Sequence, residues 1–253
     1  IVSQRPLPAE VAAQWLNHYL AHLQHLPPDE AVVAASQDLW GADAGLTAFQ
    51  HFGFAGMAAD ERQEYAASVY DQEQAKAIRA FEAQQFRQSL IHLEHTLALI
   101  DYAGKQGELR TLLTLAVETA FEIGEYGKGL FFQQKLLSAL TPESSTNERA
   151  DVLYRLGILY SRLERFDEAV QQLEEATRLW NESGELDRLA EGVATLGVVQ
   201  ENRGAYAEAL DKFHESFSLY EEIGEMGHTA FQYRRMGRIH YLRLGRYEKA
   251  REH

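Results

Sequence analysis

There is no cysteine anywhere in the 253 residues. That excludes disulfides and thiolate metal sites, and it fits a reducing cytoplasm. Prolines number only 5, and no low-complexity tract stands out. No stretch of about 18 apolar residues occurs, so no membrane span is expected. The first residues, IVSQRPLP, lack the basic-then-apolar pattern of a secretion signal. They also lack a starting Met, which suggests a trimmed chain. Basic residues are scarce: 24 Lys and Arg stand against 38 Asp and Glu, for a net charge of -14. Such a chain repels phosphate backbones, which argues against direct nucleic-acid binding. One segment runs against this balance, holding Arg234, Arg235, Arg238, Arg243, Arg246, Lys249 and Arg251. It reads either as a solvated helical face or as a cationic lining for an acidic partner.

Catalytic signatures are missing too. There is no HExxH, P-loop or GxSxG motif. His22/His25 and His92/His95 are spaced i, i+3, which can bring two imidazoles onto one helix face. No third ligand is evident from the sequence, so no metal and no cofactor is assigned.

What the chain does have is a repeat. Leu156-Gly157 returns as Leu196-Gly197, Phe166 as Tyr206, Ala169 as Ala209 and Gly184 as Gly224, each after 40 residues. A period in this range marks a repeat architecture. Leu156, Tyr160 and Leu163 make one helical stripe, and Ala169, Leu173 and Ala176 make the stripe of a second helix opened by Phe166. Gly157 sits where that second helix must pass close. The order Leu-Gly, Tyr, aromatic, Ala resembles the tetratricopeptide (TPR) motif, here lengthened from its usual unit of about 34 residues. The turn aromatic recurs at Phe86, Tyr126, Phe166 and Tyr206. Tyr247 follows only after 41 residues, which predicts a bulge or shifted turn between Gly237 and Tyr247. In the first two units Lys76-Ala77 and Ala116-Val117 replace Leu-Gly, so less regular packing is expected there. Thr141–Asn147 reads as the most loop-like tract.

Residues 1–69 do not follow the repeat. Val11, Trp15, Leu16, Tyr19, Leu20 and Leu23 form the stripe of a first helix, stopped by Pro27-Pro28. A second is expected over about Glu30 to Trp40, and a Gly-interrupted third over about Leu46 to Met57. Asp60 is placed to cap a long helix leading into the repeats. The predicted architecture is therefore all-α: an N-terminal helical bundle over 1–69, then a right-handed superhelix of about four and a half TPR units over 70–253. Because the fifth unit stops early, further units are expected to follow residue 253.

Several stretches resemble the Rap family of peptide-pheromone receptors. EVAAQWLNHYLAHL resembles the first Rap helix. Gln37-Asp38-Leu39, then Leu46, Phe49 and His51, resemble a run of the Rap bundle. Ile239-His240-Tyr241, Leu244-Gly245 and Lys249-Ala250 resemble part of a late Rap repeat. The resemblance implies a cytoplasmic regulator. Its bundle would bind a bacterial response regulator, either removing phosphate from the receiver aspartate or blocking the regulator's activity. A short signalling peptide in the TPR groove would switch it off. The alternative is a non-enzymatic TPR scaffold joining other proteins. A DNA-binding receptor is disfavoured, since residues 1–70 lack a convincing helix-turn-helix.

Gln37 is the catalytic candidate. A neutral carboxamide can orient water for in-line attack on an aspartyl phosphate without adding negative charge, as glutamine does in GTPases. The plainer reading is a surface polar residue on a short helix. For the groove, residues off the packing stripe of each first helix are the peptide-binding candidates: Tyr154, Ile158, Arg162, Thr195, Val198, Glu201, Asn202, Arg234 and Arg238. Rap proteins carry an Asn before Leu-Gly, where this chain has Arg155, Thr195 and Arg235, and an acid where it has Arg162. These exchanges predict a ligand bearing a carboxylate, with any leftover arginine pairing with a groove acid such as Glu201.

Overall fold

A computed structural model describes residues 59–243. Among the described residues nine α-helices follow one another: α1 (Ala59–Glu82), α2 (Phe86–Leu99), α3 (Leu109–Glu122), α4 (Tyr126–Ser138), α5 (Thr146–Arg162), α6 (Phe166–Ser183), α7 (Leu186–Arg203), α8 (Tyr206–Glu222) and α9 (Met226–Arg238). No strand occurs among the described residues. The chain divides into two compact units between Gly124 and Glu125. In the first, α1 packs on α2 and α2 on α3; in the second, each helix from α4 to α9 packs on the next.

The 40-residue period sets the helix boundaries. Phe86, Tyr126, Phe166 and Tyr206 are each the first residue of a helix. Two residues before each, the backbone turns left-handed: φ is 57° at Gln84, 75° at Gly124, 58° at Glu164 and 88° at Gly204. This is a Schellman stop, in which the next N–H reaches back to a carbonyl of the last turn. Arg165 N–H donates to Tyr160 O at 2.9 Å, and Ala205 N–H to Gln200 O at 2.9 Å. Glycine adopts this conformation freely; Gln84 and Glu164 hold it at a cost of about 1–2 kcal/mol each. The loop predicted between units is present between Ser138 and Thr146. It ends where Ser145 accepts from Glu148 N–H, an ordinary N-cap. Helix α1 begins at Ala59, so Asp60 lies inside its first turn rather than at the cap.

Helix pairing rests on small residues facing large ones. A side-chain carbon on Gly157 would lie 2.5 Å from Leu173 Cγ, and one on Gly197 would lie 2.7 Å from the Phe213 ring. Ala169, Leu173, Ala176, Ala209 and Phe213 are fully buried. Buried polar groups tie neighbouring helices through backbone carbonyls left accessible by this close approach. Ser89 donates to Ala77 O at 2.9 Å, Gln133 to Val152 O at 3.0 Å and Ser216 to Ala190 O at 2.8 Å. In the first unit Ala77, in place of the glycine, is fully buried, while Lys76 points outward.

The spacing anomaly has a structural counterpart. After α9, residues Ile239–Arg243 form a π-helical turn. A π turn holds one more residue than an α turn, and this one falls within the stretch from Gly237 to Tyr247 where the extra residue is predicted. Ile239 remains fully buried, packed with Ala209, Phe213 and Met236.

Candidate functional site

Helices α5, α7 and α9 are the first helices of three successive units. Together with the starts of α6 and α8 they line an open cavity of about 940 Å³ in the second unit. Most sequence-predicted groove residues meet there. Ile158 and Arg162 come from α5; Thr195, Val198, Glu201 and Asn202 from α7; Arg238 from α9. The spacing explains this: residues three or four apart on one helix share a face.

Two predicted residues lie elsewhere. Tyr154 is turned toward the helix packing, its ring 5.3 Å from that of Trp180. Its hydroxyl donates to Glu191 Oε1 at 2.9 Å and lies 3.1 Å from Thr195 Oγ1. Burial, partly offset by Thr195, pushes this phenol above its ordinary range. Arg234 is exposed, its guanidinium 5.8 Å from the Phe231 ring centre. Sequence reading also omitted Phe231, Phe166 and Tyr206, which line the cavity. The last two are the turn aromatics of the repeat, and both also pack against the core clusters. Only partly buried, they serve both roles. Gln37 and the His22/His25 pair lie outside the described residues.

The electrostatic centre of the cavity is Glu201. Its side chain is only 7% exposed and stands between two arginines of α9. Arg235 Nη1 donates to Oε2 at 2.8 Å, and Arg238 donates from Nε to Oε1 at 3.1 Å and again from Nη2. Arg235 and Arg238 sit three apart and so share a face that meets α7. The Phe231 ring, 5.1 Å from the Arg235 guanidinium, supports the same face. The predicted pairing of surplus arginines with Glu201 is therefore present. Arg162 and Glu164 belong to the same lining, which thus carries three guanidiniums and two carboxylates.

With this geometry the chain can be compared with known proteins. A tetratricopeptide-repeat family model matches residues 150–179, which cover most of α5 and most of α6. Among solved structures, the apo form of RapI is similar over 96% of this chain and 81% of that one, with a TM-score of 0.56 at 13% identity. A Rap protein complexed with competence and sporulation factor is similar over 96% of this chain and 75% of its own, with a TM-score of 0.54 at 14% identity. The chain has the fold of the Rap proteins. No curated protein matches it in sequence. Among the described residues, no helix of this Rap-like chain is long and apolar enough to cross a membrane.

Proposed function

We propose that this chain is a cytoplasmic, peptide-controlled regulator of a bacterial response regulator. The observation that carries the reading is the cavity on the first helices of three repeats, with a buried carboxylate holding two arginines at its centre. A short signalling peptide would lie along these helices, its backbone hydrogen-bonded by Thr195 and Asn202 and its side chains seated against Ile158, Val198 and Phe231. The guanidiniums of the lining offer planar, forked donors to a ligand carboxylate, either an acidic side chain or the free C-terminus. Residues 1–69, the N-terminal bundle, would dock the response regulator. There Gln37 would orient water for removal of phosphate from the receiver aspartate, with the acid cluster and Mg²⁺ supplied by the regulator. In the blocking version of the same role, docking alone suffices and Gln37 is passive. A non-enzymatic scaffold would instead bind proteins without answering to a peptide.

Two measurements test this. Charge reversal by Arg162→Glu should weaken a short acidic peptide by about 1.5–3 kcal/mol, the scale of a charged hydrogen bond. Calorimetry with acidic and arginine-bearing peptides reads it directly, and tight binding of only the arginine-bearing set would reject the ligand assignment. Removal of residues 1–58 should abolish capture of a phosphorylated receiver domain while the circular dichroism of the remaining helices persists. Full capture by the shortened chain would reject the docking assignment.

A further inference from the structure

The first unit contains a cluster that the groove reading does not use. His92 and His95, three residues apart on α2, both turn toward Glu73 of α1. The Nδ1 of His92 lies 2.7 Å, and that of His95 3.1 Å, from the same carboxylate oxygen, Oε2 of Glu73. The other oxygen, Oε1, accepts from Lys76 Nζ at 2.6 Å. The side chains of Glu73, His95 and His92 are 9%, 11% and 28% exposed, so the cluster is closed on two sides and open at His92. Burial raises the Glu73 carboxyl, but hydrogen bonds from His95, Lys76 and His92 outweigh it and hold the group well below the usual carboxylate range. The Glu73 carboxylate thus faces two imidazoles and an ammonium group. The sequence offered the two histidines but no third ligand; the α1–α2 pairing supplies it from 19 and 22 residues away.

We propose that Glu73, His92 and His95 form a binding site for a divalent transition-metal ion of the zinc type. One ligand atom from each residue lies within 4.8 Å of the other two. Around a tetrahedral ion at about 2.0–2.1 Å from each donor, neighbouring ligand atoms stand about 3.3 Å apart. The His92 and His95 separations from Glu73 would widen by about 0.6 and about 0.2 Å to reach that spacing, and the two imidazole nitrogens, within 4.8 Å of each other, would adjust to it as well. The ring planes are crossed at 86° with centres 6.2 Å apart, so the imidazoles approach the shared oxygen from different directions instead of stacking. Two imidazoles and a carboxylate are the ligands of zinc, nickel, cobalt or ferrous iron; magnesium and calcium prefer an all-oxygen shell. The exposed side at His92 gives an entry path and leaves the fourth position to water. Lys76, on the outer oxygen, is half exposed and free to swing into solvent as the ion's charge arrives. A bound ion would fasten α1 to α2, the pair that begins the repeat array.

The test uses the whole chain, freed of any affinity tag and treated with a chelator, titrated with Zn²⁺ in a calorimeter and with Co²⁺ in an absorption spectrometer. We expect one equivalent of Zn²⁺, a rise in Tm on binding, and a visible Co²⁺ band. His92→Gln and Glu73→Gln should each weaken Zn²⁺ by at least tenfold and remove the Co²⁺ band, with unchanged circular dichroism. His92 is the most exposed of the three, so its variant carries the result if the Glu73 variant fails to fold. Equal Zn²⁺ affinity in the wild type and the His92→Gln/His95→Gln double variant would overturn the proposal. So would a wild-type Tm indifferent to Zn²⁺, which would leave a hydrogen-bonded clamp and no ion site.

Discussion

Replacing Gly197 by leucine is expected to lower the stability of the second unit by about 3 kcal/mol or more. A side-chain carbon here would stand 2.7 Å from Cε1, 2.8 Å from Cδ1 and 3.1 Å from Cζ of Phe213. Phe213 is fully buried and closed in by Ala209, Met236 and Ile239, so its ring has nowhere to retreat. Overpacking of a well-filled core typically costs about 1–3 kcal/mol. A leucine places three further carbons beyond the first, so the upper end applies. Alanine at the same position should be milder, because its gain in helix propensity of about 1 kcal/mol offsets part of the clash. Gly227→Ala is the matched control. It lies in the first turn of α9, and nothing stands within 4 Å of the added carbon. It should be neutral or slightly stabilising. Urea unfolding of the three variants reads the order, and an equal midpoint for Gly197→Leu and Gly227→Ala would mean that α7 and α8 do not meet at this glycine.

The second large effect is at Glu201. Glu201→Ala strips the buried partner from both Arg235 and Arg238. Breaking a fully buried ion pair costs about 3–5 kcal/mol. Here Arg235 is 22% and Arg238 49% exposed, so water recovers part of the loss, and about 2–3 kcal/mol is expected. The coupling can be isolated by a cycle with Arg235→Ala; an interaction energy near zero would show that the pair contributes nothing. The same change should act oppositely on the ligand. With the competing carboxylate removed, both guanidiniums can turn to an acidic peptide, which should bind about tenfold tighter, or about 1.4 kcal/mol. Destabilisation without tighter binding would mean that these arginines serve the fold alone.

The helix positions that line the cavity are those left over after each first helix has met its packing demands, so the fold places few restrictions on them. Arg155 and Thr195 both precede a Leu-Gly pair on the same helical backbone.

The sequence by itself determined the helix-pair architecture, its 40-residue step and the site of its irregularity. These are local matters. A stripe at helical spacing must be buried, a left-handed stop must fall before each turn aromatic, and one added residue must widen a turn, as it does at Ile239–Arg243. Gly157 and Gly197 were legible for the same reason: each interrupts an otherwise apolar stripe. The face carrying Ile158, Arg162, Thr195, Val198, Glu201, Asn202 and Arg238 could be read from periodicity, since seven of nine predicted residues line the cavity. Tyr154 could not be placed, because its ring was taken up by Trp180, whose position depends on how α6 meets the neighbouring helices. Only the tertiary structure decided which groups meet across helices. Glu201 receives arginines 34 and 37 residues away, and Glu73 receives two histidines from the next helix. Such meetings depend on the relative rotation and height of packed helices. Those are set by the sum of many close contacts, so no single stretch of sequence records them.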